Sequence, residues 1–353
     1  MDRFKSFLER KSIRPSWKLY FIDAMGSMAL GLFSTLLIGT IFKTLGQYTG
    51  WALFTEIAGF ATSATGAALG VAIGYTLQAP PLVLLSAAVV GMIGNGLGTS
   101  IAVGGAEPLQ VTAGPAGAFL VVIVAVELGK MVSKETPIDI LVTPVTTILS
   151  GMLVAKLICP AIAYLMYWLG HFINTATELQ PLLMGALVSV VVGIILTLPI
   201  SSAAICAMIG ITGLAGGAAT AGCCAQMVGF AVISFRENKW GGLVAQGLGT
   251  SMLQMGNIVK NPRIWIPATL ASAITGPLST LVFRLECTGV SAGMGTCGLV
   301  GPLGILSAMG GSARTWLGIA VVCIVAPAVL SLVFAALLRR IGWIRPGDMK
   351  LEL

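Results

Sequence analysis

The chain has 353 residues, 56% of them apolar and only 9% charged, with a mean hydropathy of +0.96 and 45 glycines. Soluble domains carry about 25% charged residues, so the composition excludes a soluble globular protein and indicates an all-α polytopic membrane protein. The formal net charge of +7 reads as membrane topology rather than nucleic-acid binding, because Lys and Arg gather at the ends and in a few short loops.

Residues 1–20, MDRFKSFLERKSIRPSWKLY, are basic and amphipathic. Phe4, Phe7, Leu8 and Ile13 suit an apolar surface, while Arg3, Lys5, Arg10, Lys11 and Arg14 suit lipid headgroups. This segment is expected on the cytoplasmic surface, with no cleavable signal in it. Met25 to Phe42 is the first uncharged span, close to the ~20 residues a bilayer requires. The second, over 52–77, carries Gly66, Gly70 and Gly74 on one helix face, a close-packing pattern. A third span is expected over 82–102 and a fourth over 115–129. Lys130, Lys134, Glu135 and Asp139 then form a charged, cytoplasmic loop. Residues 140–170 give a span bent by Pro144 and Pro160. The loop from His171 to Gln180 lacks Lys and Arg and is placed outside. Spans over 181–200, 264–283 and 315–338 follow. Between them lie a Gly/Ala/Ser-rich stretch (201–224), a helix with a polar stripe of Gln246, Ser251, Gln254 and Asn257, and a Gly-rich break at 285–304. The count is about eight full spans plus re-entrant segments, with ten as the alternative.

The stretch from Asn95 to Gly117, NGLGTSIAVGGAEPLQVTAGPAG, is the main candidate for function. It is poor in helix propensity, and Glu107 ends a 50-residue run without charge, Ile57 to Ala106. Broken backbone at membrane depth is tolerated only inside protein or along a wet cavity, and an acid there marks a candidate functional site. The bland alternative is an extramembrane loop with Glu107 in water. The breaks at 94–117 and 285–304 fall one in each half, which suggests a transport site built from an internal repeat. The candidate substrate-binding residues are Glu107 with Asn95, Thr99, Ser100 and Gln110, then Gln254 and Asn257, then Ser291 and Thr296. Taken singly, each of the neutral ones also fits a helix-packing hydrogen bond. The seven cysteines include no CxxC pair, and His171 is the single histidine. No metal, cofactor or catalytic residue is therefore expected.

The segments GTSIAVGGAEPLQVTAGPAGAF (98–119), NIVKNPRIWIPATLASAITGPLSTLVF (257–283) and GVSAGMGTCGLVGPLG (289–304) resemble the second group of IIC-like membrane proteins of the bacterial phosphotransferase system, which includes perfringolysin-regulator-like proteins. GMGTCGLVGP is the most specific block, and the resemblance extends from about Trp17 to Arg340. It differs from the glucose-type IIC pattern in having Gly213, in GITG at 210–213, at the position of an acid. The resemblance implies a sugar-permease-type domain over 21–340, a cytoplasmic amphipathic segment over 1–20 and a cytoplasmic tail over 341–353. It also implies a homodimer with two hairpins per protomer near the membrane centre, an elevator-like movement, and separate IIA and IIB partners. The expected function is translocation of a small polar substrate, a sugar or related metabolite, across a bacterial plasma membrane with both termini cytoplasmic. The alternative is a membrane sensor or regulator that binds a ligand on the same scaffold without moving it.

Overall fold

A computed structural model of the protein describes residues 2–101 and 109–351. It is 80% helical, with one two-stranded sheet among the described residues. Among the described residues six helices are long and apolar enough to cross a membrane: Leu19–Gln47, Gly114–Val132, Asp139–Thr177, Gly213–Ile233, Pro262–Phe283 and Ala313–Arg340. Ala52–Ser63 and Thr65–Thr76 form a seventh candidate, bent by 46°. The shorter total has a physical origin. The helices Pro81–Gly96 and Pro181–Thr197 stop after 16 and 17 residues, or roughly 25 Å at 1.5 Å per residue, short of the ~30 Å hydrocarbon core. The 241–259 stretch is not one helix but a series of short turns.

The chain forms two compact units, Met1–Gly39 with Glu56–Tyr167, and Thr40–Thr55 with Trp168–Leu353. In the first, the glycine face expected from spacing is used for backbone contact. A Cβ on Gly70 would lie 1.9 Å from the Ala87 carbonyl oxygen, in the Pro81–Gly96 helix. Only a hydrogen at that position lets the two helices approach so closely. In the second unit the Gly213–Ile233 helix is the centre, buried along 89% of its apolar window. Its sequence, GLAGGAATAGCCAQMVGFAVI, places small residues on every face, so several neighbours reach it at once.

Each unit contains one copy of a helix–break–helix module. Pro81–Gly96 and Pro181–Thr197 both begin on proline and both end on a leucine in extended conformation, Leu97 (φ −73, ψ 146) and Leu198 (φ −70, ψ 160). The return helices begin at Gly114 and Gly213, each with φ +59, a conformation that favours glycine. Leu97 and Gly114 of the first unit thus correspond in backbone angle to Leu198 and Gly213 of the second.

Pro144 and Pro160 sit inside a continuous 39-residue helix, Asp139–Thr177, which retains enough of the ladder to run past the hydrogen bond each proline removes. Two other expectations are corrected. His171 belongs to that same helix rather than to a loop, since Ile173 and Ala176 are buried and hold its last turns against the protein. Lys130 is not a loop residue but is completely buried. Its Nζ donates to the carbonyls of Leu77 (2.8 Å) and Ser12 (2.9 Å) and pairs with Glu127 at 3.1 Å. A buried ammonium requires this kind of full satisfaction.

Lys130 also tethers the N-terminal helix Asp2–Arg10, because Ser12 follows it directly. Arg10 pairs with Glu135 at 2.7 Å and Lys11 with the same carboxylate at 2.5 Å, and Lys11 also donates to the Ser133 carbonyl. Ile13 is buried against the protein instead of facing lipid. The hydrogen bond from Lys11, reinforced by the charges of Arg10 and Lys11, holds the Glu135 carboxyl below its ordinary value of 4.5.

Two outcomes are expected. Lys130→Met leaves Glu127 without its cation and lowers stability by about 3–5 kcal/mol, the usual cost of breaking a buried pair, as read by thermal unfolding in detergent. The Glu135 contribution is fully present above pH 4.5 and is lost as pH falls through the lower folded-state pKa. A fluorophore on the N-terminal helix should therefore report undocking on acidification, and Glu135→Gln should remove that pH dependence.

Candidate functional site

In the first unit, β1 (Gly98–Ile101) and β2 (Leu109–Thr112) form an antiparallel hairpin between two apolar helices. Pairing its own strands is how a Gly-rich segment satisfies its backbone in apolar surroundings. The register places Ser100 opposite Gln110 and Thr99 opposite Val111, and Gln110 Nε2 donates to Ser100 Oγ at 2.5 Å. Asn95 lies in the last turn of Pro81–Gly96, three residues before β1. Four of the sequence-derived candidates thus gather at one hairpin. Glu107 lies outside the described residues.

In the second unit, three breaks converge on the central Gly213–Ile233 helix. The first runs from Leu198 to Thr212 and includes a short helix, Ser202–Met208, capped by Ser201. The second passes from a π-helical turn (Ala245–Gly249) through extended Thr250, a 3₁₀ turn (Ser251–Gln254) and one α-helical turn (Met255–Lys260). The third follows Arg284, in left-handed conformation, and holds the short helix Gly289–Ala292. Main-chain groups join them. Gly289 N donates to the Ile211 carbonyl at 2.8 Å and Cys287 N to that of Gly213 at 3.3 Å. Ser202 Oγ donates to the Gly293 carbonyl at 2.6 Å, and Thr296 Oγ1 to that of Gly247 at 2.5 Å. Ser291 lies in the third break, half-buried beside Gly304.

A neutral polar cluster sits beside these breaks. Gln226 Oε1 accepts from Trp265 Nε1 at 3.0 Å and from Thr197 Oγ1 at 3.4 Å, while its Nε2 donates to Thr269 Oγ1 at 3.2 Å. Thr197 and Ser251 share a hydroxyl contact of 2.8 Å. Sequence reasoning missed this cluster. The available signal was an amide, Gln226, deep in the 57-residue uncharged run from Leu179 to Phe235, whose other amide, Gln180, sits at its edge.

Residues 22–351 match the family model described as Phosphotransferase system, EIIC. The chain belongs to this family. No curated protein matches it. An EIIC chain is the membrane-embedded, permease-type component of the system and works with IIA and IIB proteins.

The polar stripe of this EIIC chain has an occupant the sequence did not reveal, its own C-terminal segment. Gln254 Nε2 donates to the Met349 carbonyl at 3.0 Å, and Asn257 Nδ2 to that of Lys350 at 2.9 Å. Asn238 donates to the Met349 carbonyl (2.8 Å) and accepts from Leu351 N (2.8 Å), so one amide holds the main chain on both sides of Lys350. Met349 N donates to Glu237 Oε2 at 3.0 Å. Gln246 completes the array by accepting from Gln254 at 2.9 Å and donating to Ser234 at 2.9 Å. The candidates therefore fall into three groups: the hairpin set, the tail-bound pair Gln254 and Asn257, and Ser291 and Thr296 at the joined breaks.

Gln226→Leu removes the acceptor of the half-buried Trp265 indole N–H, whereas Thr197 keeps its contact with Ser251. A loss of about 1–3 kcal/mol for that orphaned group should appear as a lower melting temperature with helical content unchanged.

Proposed function

We propose that this EIIC chain translocates a small polar, uncharged substrate, a sugar or related metabolite, as the permease component of a phosphotransferase system. It acts in a bacterial plasma membrane with both termini cytoplasmic, as a homodimer, by an elevator-type movement of part of each protomer. The carrying observation is the chemistry beside the breaks: amides, hydroxyls and an indole, with no ion pair among the described residues there. Hydroxyl-rich substrates both donate and accept, and a neutral set of this kind replaces their hydration without burying a charge.

In this reading each unit offers polar groups of its own: in the first Asn95, Thr99, Ser100 and Gln110 with Glu107 as the one carboxylate, and in the second Ser291 and Thr296 at the joined breaks. Gln254 and Asn257 reach the substrate only when the tail leaves them. The broken stretch at 245–261 supports a moving element, since its short turns rearrange at lower cost than a continuous helix. A second reading is favoured by one observation. The tail already fills the amide donors of Gln254 and Asn257, as expected of a scaffold that binds a ligand and reports it without transport.

Uptake of radiolabelled sugars into proteoliposomes separates the two. The permease reading predicts saturable uptake that Glu107→Gln abolishes while the melting temperature stays unchanged. Binding without uptake supports the sensor, and undiminished uptake by Glu107→Gln removes that residue from the substrate path.

A further inference from the structure

The docked tail creates a cavity of about 290 Å³, lined by Asn257, Lys260, Asn261, Gly347, Asp348 and Lys350. Its size suits a small ligand, at the lower end of the ~300–1,000 Å³ of small-molecule sites. Most of its polar groups are already engaged. Asn257 Nδ2 serves Gln254 and the Lys350 carbonyl, at 2.9 Å each. Asn261 Nδ2 serves the Trp343 carbonyl (3.0 Å) and Asp348 Oδ2 (2.8 Å), and that same Asp348 oxygen accepts from Arg345 N at 2.8 Å. The exceptions are Lys260 and Lys350. Among the described residues neither ammonium has a hydrogen-bond or ion-pair partner. Of the basic groups on the same segments, Arg263 stacks on Trp343 at 5.1 Å, Arg339 donates to the Ile233 carbonyl at 2.7 Å, and Arg345, which meets Asp348 through its main-chain N, does not line the cavity.

We propose that this cavity binds a phosphoryl group, as inorganic phosphate or a small phosphomonoester, between Lys260 and Lys350. The two exposed ammonium groups outnumber the one lining carboxylate, Asp348, whose Oδ2 already accepts from Asn261 and Arg345 N, so the charge balance favours an anion. A phosphoryl group with about −1.5 to −2 charge and three acceptor oxygens engages both lysines at once, which a monocarboxylate does less well. Lysine serves phosphate as a point charge without needing a fixed fork geometry. The site is conditional on the tail, because Lys350 is delivered by the bonds that Asn238, Gln254 and Asn257 make to the main chain of 349–351. Ligand binding and tail docking are therefore linked, and each strengthens the other. The assignment stands on the cavity and is independent of whether the chain moves a sugar.

The test is a titration of the full-length protein, in nanodiscs of zwitterionic lipid at fixed ionic strength, with inorganic phosphate and with acetate, followed by calorimetry. Saturable phosphate binding is expected, stronger than acetate. Lys260→Gln and Lys350→Gln should each weaken it by about tenfold, the scale of one charge-assisted hydrogen bond. Asn238→Ala, which does not line the cavity, should also weaken it by releasing the tail, whereas Lys239→Gln on the same segment should not. A parallel series in nanodiscs containing phosphatidic acid identifies the source of the phosphoryl group. Phosphate displaced by that lipid assigns a headgroup, and phosphate unaffected by it assigns a free ligand. Absence of saturable binding, equal binding of acetate, or equal loss in Lys239→Gln would overturn the proposal.

Discussion

Backbone-to-backbone approach at glycine is the constraint on which the second unit depends. A Cβ on Gly216 would lie 2.0 Å from the Cys287 carbonyl oxygen, one on Gly217 1.9 Å from that of Leu285, and one on Gly222 1.9 Å from that of Ser189. These positions lie along one helix, Gly213–Ile233. Because that helix has almost no side-chain bulk, a non-helical segment can lie directly against it and find main-chain partners at Ile211 and Gly213. In a membrane protein such partners are required, since lipid offers no hydrogen bonds. The Gly-rich composition is thus what permits irregular backbone, and irregular backbone is what places hydroxyls and amides beside the breaks.

The same economy of donors explains the tail. A tail of turns bonds only some of its main-chain groups to itself, and burying it requires the others to be met from outside. Glu237, Asn238, Gln254 and Asn257 meet the groups of Met349, Lys350 and Leu351. In the first unit the Lys130 ammonium performs the equivalent task for two carbonyls, one from the end of Thr65–Thr76 and one following the N-terminal helix. Both chain ends are therefore fastened by side chains that look like simple loop or stripe residues in the sequence.

That difference shows what was legible. Helix type and the glycine face at 66, 70 and 74 were readable because each is local, a matter of spacing within about 20 residues. The family was readable from compact Gly-rich blocks. Partners distant in sequence were not: Lys130 meets Ser12 and Leu77, and Gln254 meets Met349, contacts that no periodicity encodes. The two prolines do not end Asp139–Thr177, because a proline's local cost is small against the remaining ladder of a long helix. The likeness between the units lies in paired backbone angles at Leu97 and Leu198 and at Gly114 and Gly213, which letters do not show.

The most direct measurement is amide hydrogen exchange across 284–299 in the intact protein and in Gly217→Ala, with Gly26→Ala, whose Cβ meets nothing within 4 Å, as control. The account predicts that the single methyl at 217 pushes the third break off the central helix and sharply raises exchange at Cys287 and Gly289, while the control leaves both protected. Unchanged protection in Gly217→Ala would contradict the claim that this close approach holds the breaks in place.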